Sequence, residues 1–463
     1  MATDAKFLEG SLMRHIAVMA LTSSVGLTAV FLVDLVDMIF ISMLGRDELA
    51  AAVGYSGAIL FFTTSFGIGM AIAAGARVAR ALGAGDGALA RQRAATSLIY
   101  GFAFGAVFAA LVWWYIPELA ALMGASGVTL SYSVQYLQII VPSLPFLMLG
   151  MVGGAILRAY GDARRSMMAT IWGGTVNAVL DPILIFALSL DLTGAALATV
   201  AARLTIAATA LIPIIRHHGG LERPEPRAFA VDFPGLAAIA GPAVLTQLAT
   251  PVGQAYVTRS MSAYGEDGVA GMAIIGRLMP VAFAVIFALS GAIGPVIGQN
   301  FGAGKMGRVR RAFREGVLFT AGVVVAVTVV LFLLRAPIAD LFGAEGLARQ
   351  LVYLFCGPLA LLFFFNGVIF VANAAFNNLG HPFYSTWVNW GRHTLGTVPF
   401  VMAGAAIAGA PGVLIGQAVG GVVFGGLAWV LARRIMARDR GWAVSHEPYS
   451  RQARLFALFS PKR

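Results

Sequence analysis

The stretch TLGTVPFVMAGAAIAGAPGVLIGQAVGGVVFGGLAWVLA, Thr394–Ala432, contains no charged residue. A helix crosses the hydrocarbon core of a bilayer with about 20 apolar residues, because its backbone polar groups are all satisfied within the segment. This stretch is long enough for two crossings, and it is too long and too apolar for the strands of a membrane barrel. It therefore predicts a pair of membrane-spanning helices.

The rest of the chain has the same character. Of its 463 residues, 59% are hydrophobic and 11% are charged, whereas a soluble domain carries about 25% charged residues. Further stretches without charge are Leu49–Ala76, Leu119–Leu157, Leu278–Gly304 and Gln350–Gly380. We predict an all-α polytopic membrane protein with twelve transmembrane helices.

The net charge of +11 does not indicate a nucleic-acid partner, because the basic residues lie in short loops on one side, as the positive-inside rule requires. The loops after even-numbered helices and the helix ends beside them hold Arg77, Arg80, Arg91, Arg93, Arg164, Arg165 and the residues from Lys305 to Arg314. We predict a multi-pass protein of the cell inner (plasma) membrane with both termini cytoplasmic and no bound nucleic acid.

One polar stretch divides the predicted helices six and six. It is RHHGGLERPEPRAFAVDFP, Arg216–Pro234, and its proline, glycine and charge content is typical of a linker. We predict an N-terminal lobe over residues 1–215, a cytoplasmic linker over 216–234, a C-terminal lobe over 235–436 and a basic cytoplasmic tail over 437–463.

The two halves resemble each other at one constant offset in residue number, the repeat offset, which aligns Gly75 with Gly294. The same offset aligns Gly83 with Gly302, Gly85 with Gly304, Gly161 with Gly380, and Ser166 with Ser385. Because six is even, both halves begin on the same side of the membrane. We therefore predict two six-helix bundles related by a pseudo-two-fold axis along the membrane normal, a plan that is typical of secondary transporters.

Three acidic residues lie deep inside predicted spans: Asp34 and Asp37 in FLVDLVDMIF, and Asp181 in NAVLDPILIF. An acid near the centre of a spanning helix costs about 2.5–3.5 kcal/mol on insertion scales, so it indicates a functional site by default. Asn177 lies one helical turn from Asp181, on the same face. The alternative is a structural ion pair with an arginine inside the membrane, for which the candidates are Arg203, Arg259, Arg277 and Arg392.

The second half of the chain lacks these acids. At the repeat offset, the positions of Asp34, Asp37, Asn177 and Asp181 are occupied by Gly253, Tyr256, Gly396 and Phe400. A purely structural role in a six-helix bundle would require acids in both halves. We therefore predict a cation-coupling site in the first half only, where buried carboxylates exchange a proton or bind Na⁺.

Several motifs resemble the multidrug and toxic compound extrusion (MATE) transporters, and the likeness covers nearly all of the chain. The motifs are VDMIFISMLGRDELAAAVGY at Val36, ARALGAGD at Ala79, ILRAYGDARRSM at Ile156, NAVLDPILIF at Asn177 and GAALATVAAR at Gly194. The closest resemblance is to the DinF-like and archaeal branch. That resemblance implies a cation site at Asp37, Asn177 and Asp181, with Asp34 one turn away and Tyr136 and Thr199 as neighbours. Unlike some archaeal members, span one has no proline.

The resemblance also implies a function. We expect a secondary active multidrug efflux transporter that exchanges amphipathic organic cations for H⁺ or Na⁺ by alternating access. We expect a monomer in membrane lipid, with no cofactor, no catalytic residues and no metal site other than a possible Na⁺ at Asp37, Asn177 and Asp181. The alternative is a flippase or exporter of a lipid-linked or anionic substrate, which arginines lining the cavity would favour. An intramembrane enzyme is disfavoured because no nucleophile–base pair or metal cluster is apparent.

Overall fold

The computed structural model describes residues 5–222 and 226–438, and helices account for nearly all of these residues. The chain divides into two compact units. Unit 1 contains Val25–Ala240, and unit 2 contains Phe7–Ser24 and the described residues from Gly241 onward. The helices are α1 (Leu12–Met43), α2 (Asp47–Gly83), α3 (Gly87–Trp114), α4 (Ile116–Leu122), α5 (Gly127–Ile140), α6 (Leu144–Ala159), α7 (Ala163–Pro182), α8 (Asp191–His217), α9 (Pro226–Ser262), α10 (Gly265–Ala282), α11 (Ala284–Gly302), α12 (Met306–Leu341), α13 (Gly346–Leu354), α14 (Ala360–Leu362), α15 (Phe364–Asn378), α16 (Phe383–His393) and α17 (Val398–Arg438).

The helices account for the twelve predicted spans. Ten candidate spans in the described residues are long and apolar enough to cross a membrane, and the bent pair Gly346–Leu362 and Phe364–Asn378 adds an eleventh. One candidate, Phe383–Arg438, is 56 residues long. Its backbone is not helical at Ala408 and Gly409, where the chain folds back on itself, so this segment supplies two spans. The prediction of an all-α polytopic membrane protein is confirmed.

Glycines hold the last two spans together as a tight hairpin. Gly404 faces Gly412, Phe400 faces Gly416, and Gly396 faces Gly420, so the two helices run antiparallel on either side of the turn. A Cβ atom on Gly404, Gly416 or Gly420 would overlap the facing backbone. The glycines in the charge-free stretch Thr394–Ala432 therefore permit the backbones to touch, and this close packing replaces a loop.

This packing predicts that Gly420→Ala destabilises the protein. The new methyl group would overlap the carbonyl of Gly396, and a backbone atom cannot move aside as a flexible side chain can. Overpacking costs about 1–3 kcal/mol or more, so we expect a lower melting temperature and a smaller monodisperse peak on size-exclusion chromatography. Gly426→Ala on the same helix is the matched control, because its Cβ would meet nothing within 4 Å. Equal stability of the two variants would contradict this description of the hairpin.

The backbone reproduces the sequence repeat at two of the glycine pairs that indicate it and at two further pairs. Four pairs of glycines related by the repeat offset all adopt positive φ: Gly85 and Gly304, Gly124 and Gly343, Gly127 and Gly346, and Gly161 and Gly380. A side-chain pair is repeated as well. Arg158 donates to Ser166 Oγ at 2.8 Å in unit 1, and at the equivalent positions Ser385 donates to Asn377 Oδ1 at 3.3 Å in unit 2. Each unit therefore contains the same chain path between the same turns.

The range 216–234, predicted as a linker, is partly helical, since α9 begins at Pro226. Asp232 in this helix is buried against Arg77 of α2, with 2.5 Å between Oδ1 and Nη2, and it accepts a hydrogen bond from Thr96 of α3 at 3.0 Å. The start of α9 is thus held in unit 1 by a buried ion pair. Of the tail predicted at 437–463, only residues 437 and 438 lie within the described residues.

Candidate functional site

Three of the predicted site residues meet inside unit 1. The Asn177 amide donates from Nδ2 to Asp37 Oδ1 at 3.1 Å and to Asp181 Oδ2 at 2.7 Å. Asn177 and Asp181 lie on successive turns of α7, and Asp37 lies on α1. Two carboxylates from different helices therefore share one amide nitrogen in the middle of a membrane-spanning bundle.

The carboxylate of Asp181 is buried and incompletely satisfied. Asp181 has no solvent-accessible surface, and Asn177 is 4% exposed. Asp181 Oδ1 has no hydrogen-bond partner within the described residues. Leaving a buried charged oxygen without a donor is costly, so a proton or a bound cation at this atom would stabilise the site.

The chain is locally adapted to hold this geometry. Pro182 follows Asp181, and because proline has no amide N–H it cannot donate to the carbonyl of Ala178. The next residues, Ile183–Ala187, form a π-helical turn, a feature that often marks functional sites. Gly194 of α8 allows this turn to come close, since a Cβ there would lie 2.7 Å from the Leu184 carbonyl carbon.

The remaining predicted neighbours differ in their relation to the pair of acids. Tyr136 of α5 is buried in the same cluster as Ile41 and Ile185, close to Thr199 and within electrostatic range of both acids. Thr199 itself donates to the Ala195 carbonyl at 3.0 Å. Asp34 is exposed, and within the described part of the chain its carboxylate has no hydrogen bond or ion pair. The structure thus brings together Asp37, Asn177 and Asp181, places Tyr136 near Thr199 in the same unit, and leaves Asp34 at the edge.

No arginine neutralises the acids in the described ion pairs. Arg203, a buried arginine in a span of unit 1, donates to the Ile140 carbonyl at 3.2 Å and to Ser143 Oγ at 2.9 Å. Arg203 therefore hydrogen-bonds polar groups at the break between α5 and α6 instead of pairing with a carboxylate. The alternative that Asp37 and Asp181 are locked in structural ion pairs therefore finds no partner among residues 5–222 and 226–438.

This arrangement can hold one small cation or proton. The two carboxylates provide oxygen ligands of the kind that hard cations prefer, and the Asn177 amide nitrogen holds them in place. Groups of three or more His, Cys, Asp or Glu residues that could hold a metal ion are absent from the described residues.

A second polar region, in unit 2, was not predicted from the sequence. Asn373 and Asn377 of α15 face Asn389 and Ser385 of α16, each pair at 3.3 Å. The available signal was the series Asn366, Asn373 and Asn377, whose spacing places all three on one helical face. The sequence predicts a site from acids inside spans, and this region contains none.

Comparisons with known proteins agree with this fold. The MatE family model matches residues 23–183 and 242–399. An FAD transporter of Shewanella oneidensis is 29% identical over 433 residues, which cover 90% of this chain and 93% of that protein. The multidrug export protein MepA of Staphylococcus haemolyticus is 26% identical over 345 residues, covering 73% of this chain and 75% of its own length.

A solved structure shares the fold. The crystal structure of a mutant of the Vibrio cholerae MATE transporter VcmN superposes with a TM-score of 0.87 at 24% identity, and the match covers 95% of this chain and 98% of that chain. The family model covers well over half of the sequence and includes Asp37, Asn177 and Asp181. The chain therefore belongs to the MATE family, and it is a multi-pass membrane transporter rather than an enzyme.

Proposed function

We propose that this protein is a secondary active exporter that takes up H⁺ or Na⁺ at Asp37, Asn177 and Asp181 and expels an amphipathic organic compound in exchange. The observation that carries this proposal is the buried, unpartnered Oδ1 of Asp181 beside the shared amide of Asn177. The branch assignment, DinF-like or archaeal, and the predicted orientation with cytoplasmic termini are parts of the same proposal.

The coupling follows from charge. When both carboxylates are ionised, they repel each other and lack the donors that water would supply. Binding of one H⁺ or Na⁺ removes part of this penalty, so the occupied and empty states differ in free energy. An ion that binds one conformation better than another shifts the equilibrium between them by that difference in affinity. This is the requirement for ion-driven alternating access.

Two substrate classes are candidates. Amphipathic organic cations are the first, as expected from the resemblance, and the relative MepA is named for multidrug export. Amphipathic organic anions are the second, and one observation favours them. Arg259, Arg277 and Arg392 of unit 2 have no carboxylate partner among the ion pairs of the described residues. Charged residues in spans usually face the bundle interior or a water-filled cavity, and the relative with the longer match is named for FAD.

Transport by the purified protein in liposomes tests the coupling. Vesicles are given either a pH gradient at equal Na⁺ or a Na⁺ gradient at equal pH, and movement of ethidium and of FAD is followed separately. We expect one of the two gradients to accelerate movement of one compound over the rate without a gradient, because an ion that binds one conformation better shifts the equilibrium between conformations. Rates that equal those without a gradient, for both compounds and both ions, would contradict the proposed exchange.

A further inference from the structure

We infer that unit 2 contains a binding site for an anionic group, a carboxylate or a phosphate, formed by Arg392 and His393 at the break between α16 and α17. The inference rests on the proposed function, since it supplies the part of the protein that recognises the transported compound. It uses none of the residues of the coupling site in unit 1.

The first step is the break itself. The helix α16 ends at His393 and α17 begins at Val398, in the interior of a span. Between them the Gly396 N–H donates to the Gly391 carbonyl five residues earlier, at 2.8 Å, and Thr397 Oγ1 donates to the Arg392 carbonyl at 2.9 Å. In secondary transporters, substrate and ion sites are typically formed by discontinuous spanning helices.

The second step is that the polar side chains before the break are satisfied within the fold. On the side toward α15, Ser385 and Asn389 pair with asparagines. On the side toward α9, Thr386 donates to the Pro242 carbonyl and Trp390 Nε1 donates to the Leu245 carbonyl, both at 2.8 Å. These contacts account for the polar face of α16 as packing between helices, and they need no ligand.

The third step is that two polar side chains at the break lack hydrogen-bond partners in the described residues. His393 is 4% exposed, and its Nδ1 is buried without a hydrogen-bond partner. The guanidinium of Arg392 forms neither a hydrogen bond nor an ion pair in the described part of the chain. Buried polar groups are nearly always paired, so an unpartnered histidine next to an unpartnered arginine requires an explanation.

The fourth step is the niche that holds the histidine. Gly253 of α9 faces the ring of His393, and a Cβ at that glycine would collide with Nδ1. At the repeat offset, Gly253 corresponds to Asp34 and His393 to Gly174. Unit 1 therefore has an acid on the first helix of this helix pair, whereas unit 2 has bases on the second.

The chemistry of these groups indicates the ligand. Arginine is permanently charged, has only donors, and presents them in a planar fork that matches a carboxylate or a phosphate. The sequence of unit 2 has no acid deep in a span, so no carboxylate within the described spans of unit 2 is positioned to occupy this fork. An anionic group on the transported compound would satisfy Arg392, and His393, whose Nδ1 faces Gly253, lies beside it at the same break.

Binding to the purified protein tests the inference without requiring transport. FMN and riboflavin share the same ring system and differ only by one phosphate, so the ratio of their dissociation constants measures anion recognition. We expect the parent protein to bind FMN at least about tenfold more tightly than riboflavin, because charge-assisted bidentate hydrogen bonds are stronger than neutral ones. Arg392→Gln should abolish that preference, and His393→Phe should reduce it. Arg335→Gln, which removes a half-buried arginine stacked on Phe332, is the matched control and should retain it.

Further variants and a lipid competition distinguish the possible outcomes. If Arg392→Gln is not monodisperse, Arg392→Lys, which keeps the charge but loses the fork, is measured in its place. Competition by phosphatidylglycerol in the parent but not in the variant would support the same site with a lipid headgroup as its ligand. An FMN preference that survives both Arg392 variants, or a parent that neither prefers FMN nor responds to phosphatidylglycerol, would overturn the inference. Asp181→Asn should bind FMN normally, so failure of the ion-coupling proposal would be recognised separately.

Discussion

Replacing Asp181 by Asn should abolish acceleration of export by an ion gradient. Asparagine has the same shape and can still hydrogen-bond with Asn177, but it cannot take up a proton and offers no charge to Na⁺. The parent side chain is fully buried beside Pro182. Because asparagine keeps its size and shape, the substitution should preserve the fold. The expected result is an export rate that no longer responds to a pH or Na⁺ gradient, measured in the same liposomes as the parent.

Controls separate this loss from general damage. Asp191→Asn removes a half-exposed acid that pairs with Arg46 at 3.5 Å in unit 1, and we expect its export to retain the parent's response. Asp37→Asn should resemble Asp181→Asn, because both carboxylates accept from the same amide. If both variants at the site remain fully responsive to the gradient, the coupling ion must bind elsewhere.

Replacing Asp232 by Ala should produce the largest loss of stability. Asp232 and Arg77 are both buried, with side chains 7% and 2% exposed. Removing one partner of a buried ion pair costs about 3–5 kcal/mol, because the remaining charge is left without compensation. We expect a clear decrease in the melting temperature of the purified protein, followed by the monodisperse fraction that remains after heating.

The double variant Arg77→Met/Asp232→Leu provides the internal test. Replacing a buried pair by apolar residues of similar volume is often neutral or even stabilising, so the double variant should be more stable than Asp232→Ala alone. A coupling energy close to zero in the cycle formed by Arg77→Met, Asp232→Leu and the double variant would mean that the two side chains contribute independently, contrary to the contact described.

The architecture could be predicted because the membrane restricts the possible structures so strongly. Charge-free runs of sufficient length identify helices, and the repeat offset indicates two equivalent halves. The approach of Asp37 to Asn177 and Asp181 was also predictable, since acids inside spans and an adjacent polar residue indicate an intramembrane site. These expectations depend on composition and spacing, which a sequence contains directly.

Other features depend on three-dimensional contacts that spacing does not contain. The helix beginning at Pro226 was interpreted as linker because proline and charge are typical of loops, whereas burial of Asp232 against Arg77 decides the outcome. The sequence could not distinguish the exposed Asp34 from the site residue Asp37, since both lie on the same helical face. The region around His393 was missed because a histidine is significant there only when its neighbours leave it unpartnered.

The glycine hairpin at Ala408–Gly409 has a consequence for how the chain enters the bilayer during synthesis. The last two spans have only these two non-helical residues between them. They therefore leave the ribosome too closely linked to be inserted one at a time. A helix carrying Arg392 near its middle is a poor candidate for insertion by itself, since an arginine there costs about 2.5–3.5 kcal/mol. Its partner, which is uncharged from Ala410 to Ala432, would offset that cost if the two spans enter the translocon together, so the same glycines that close the mature fold would also bring the arginine into the membrane.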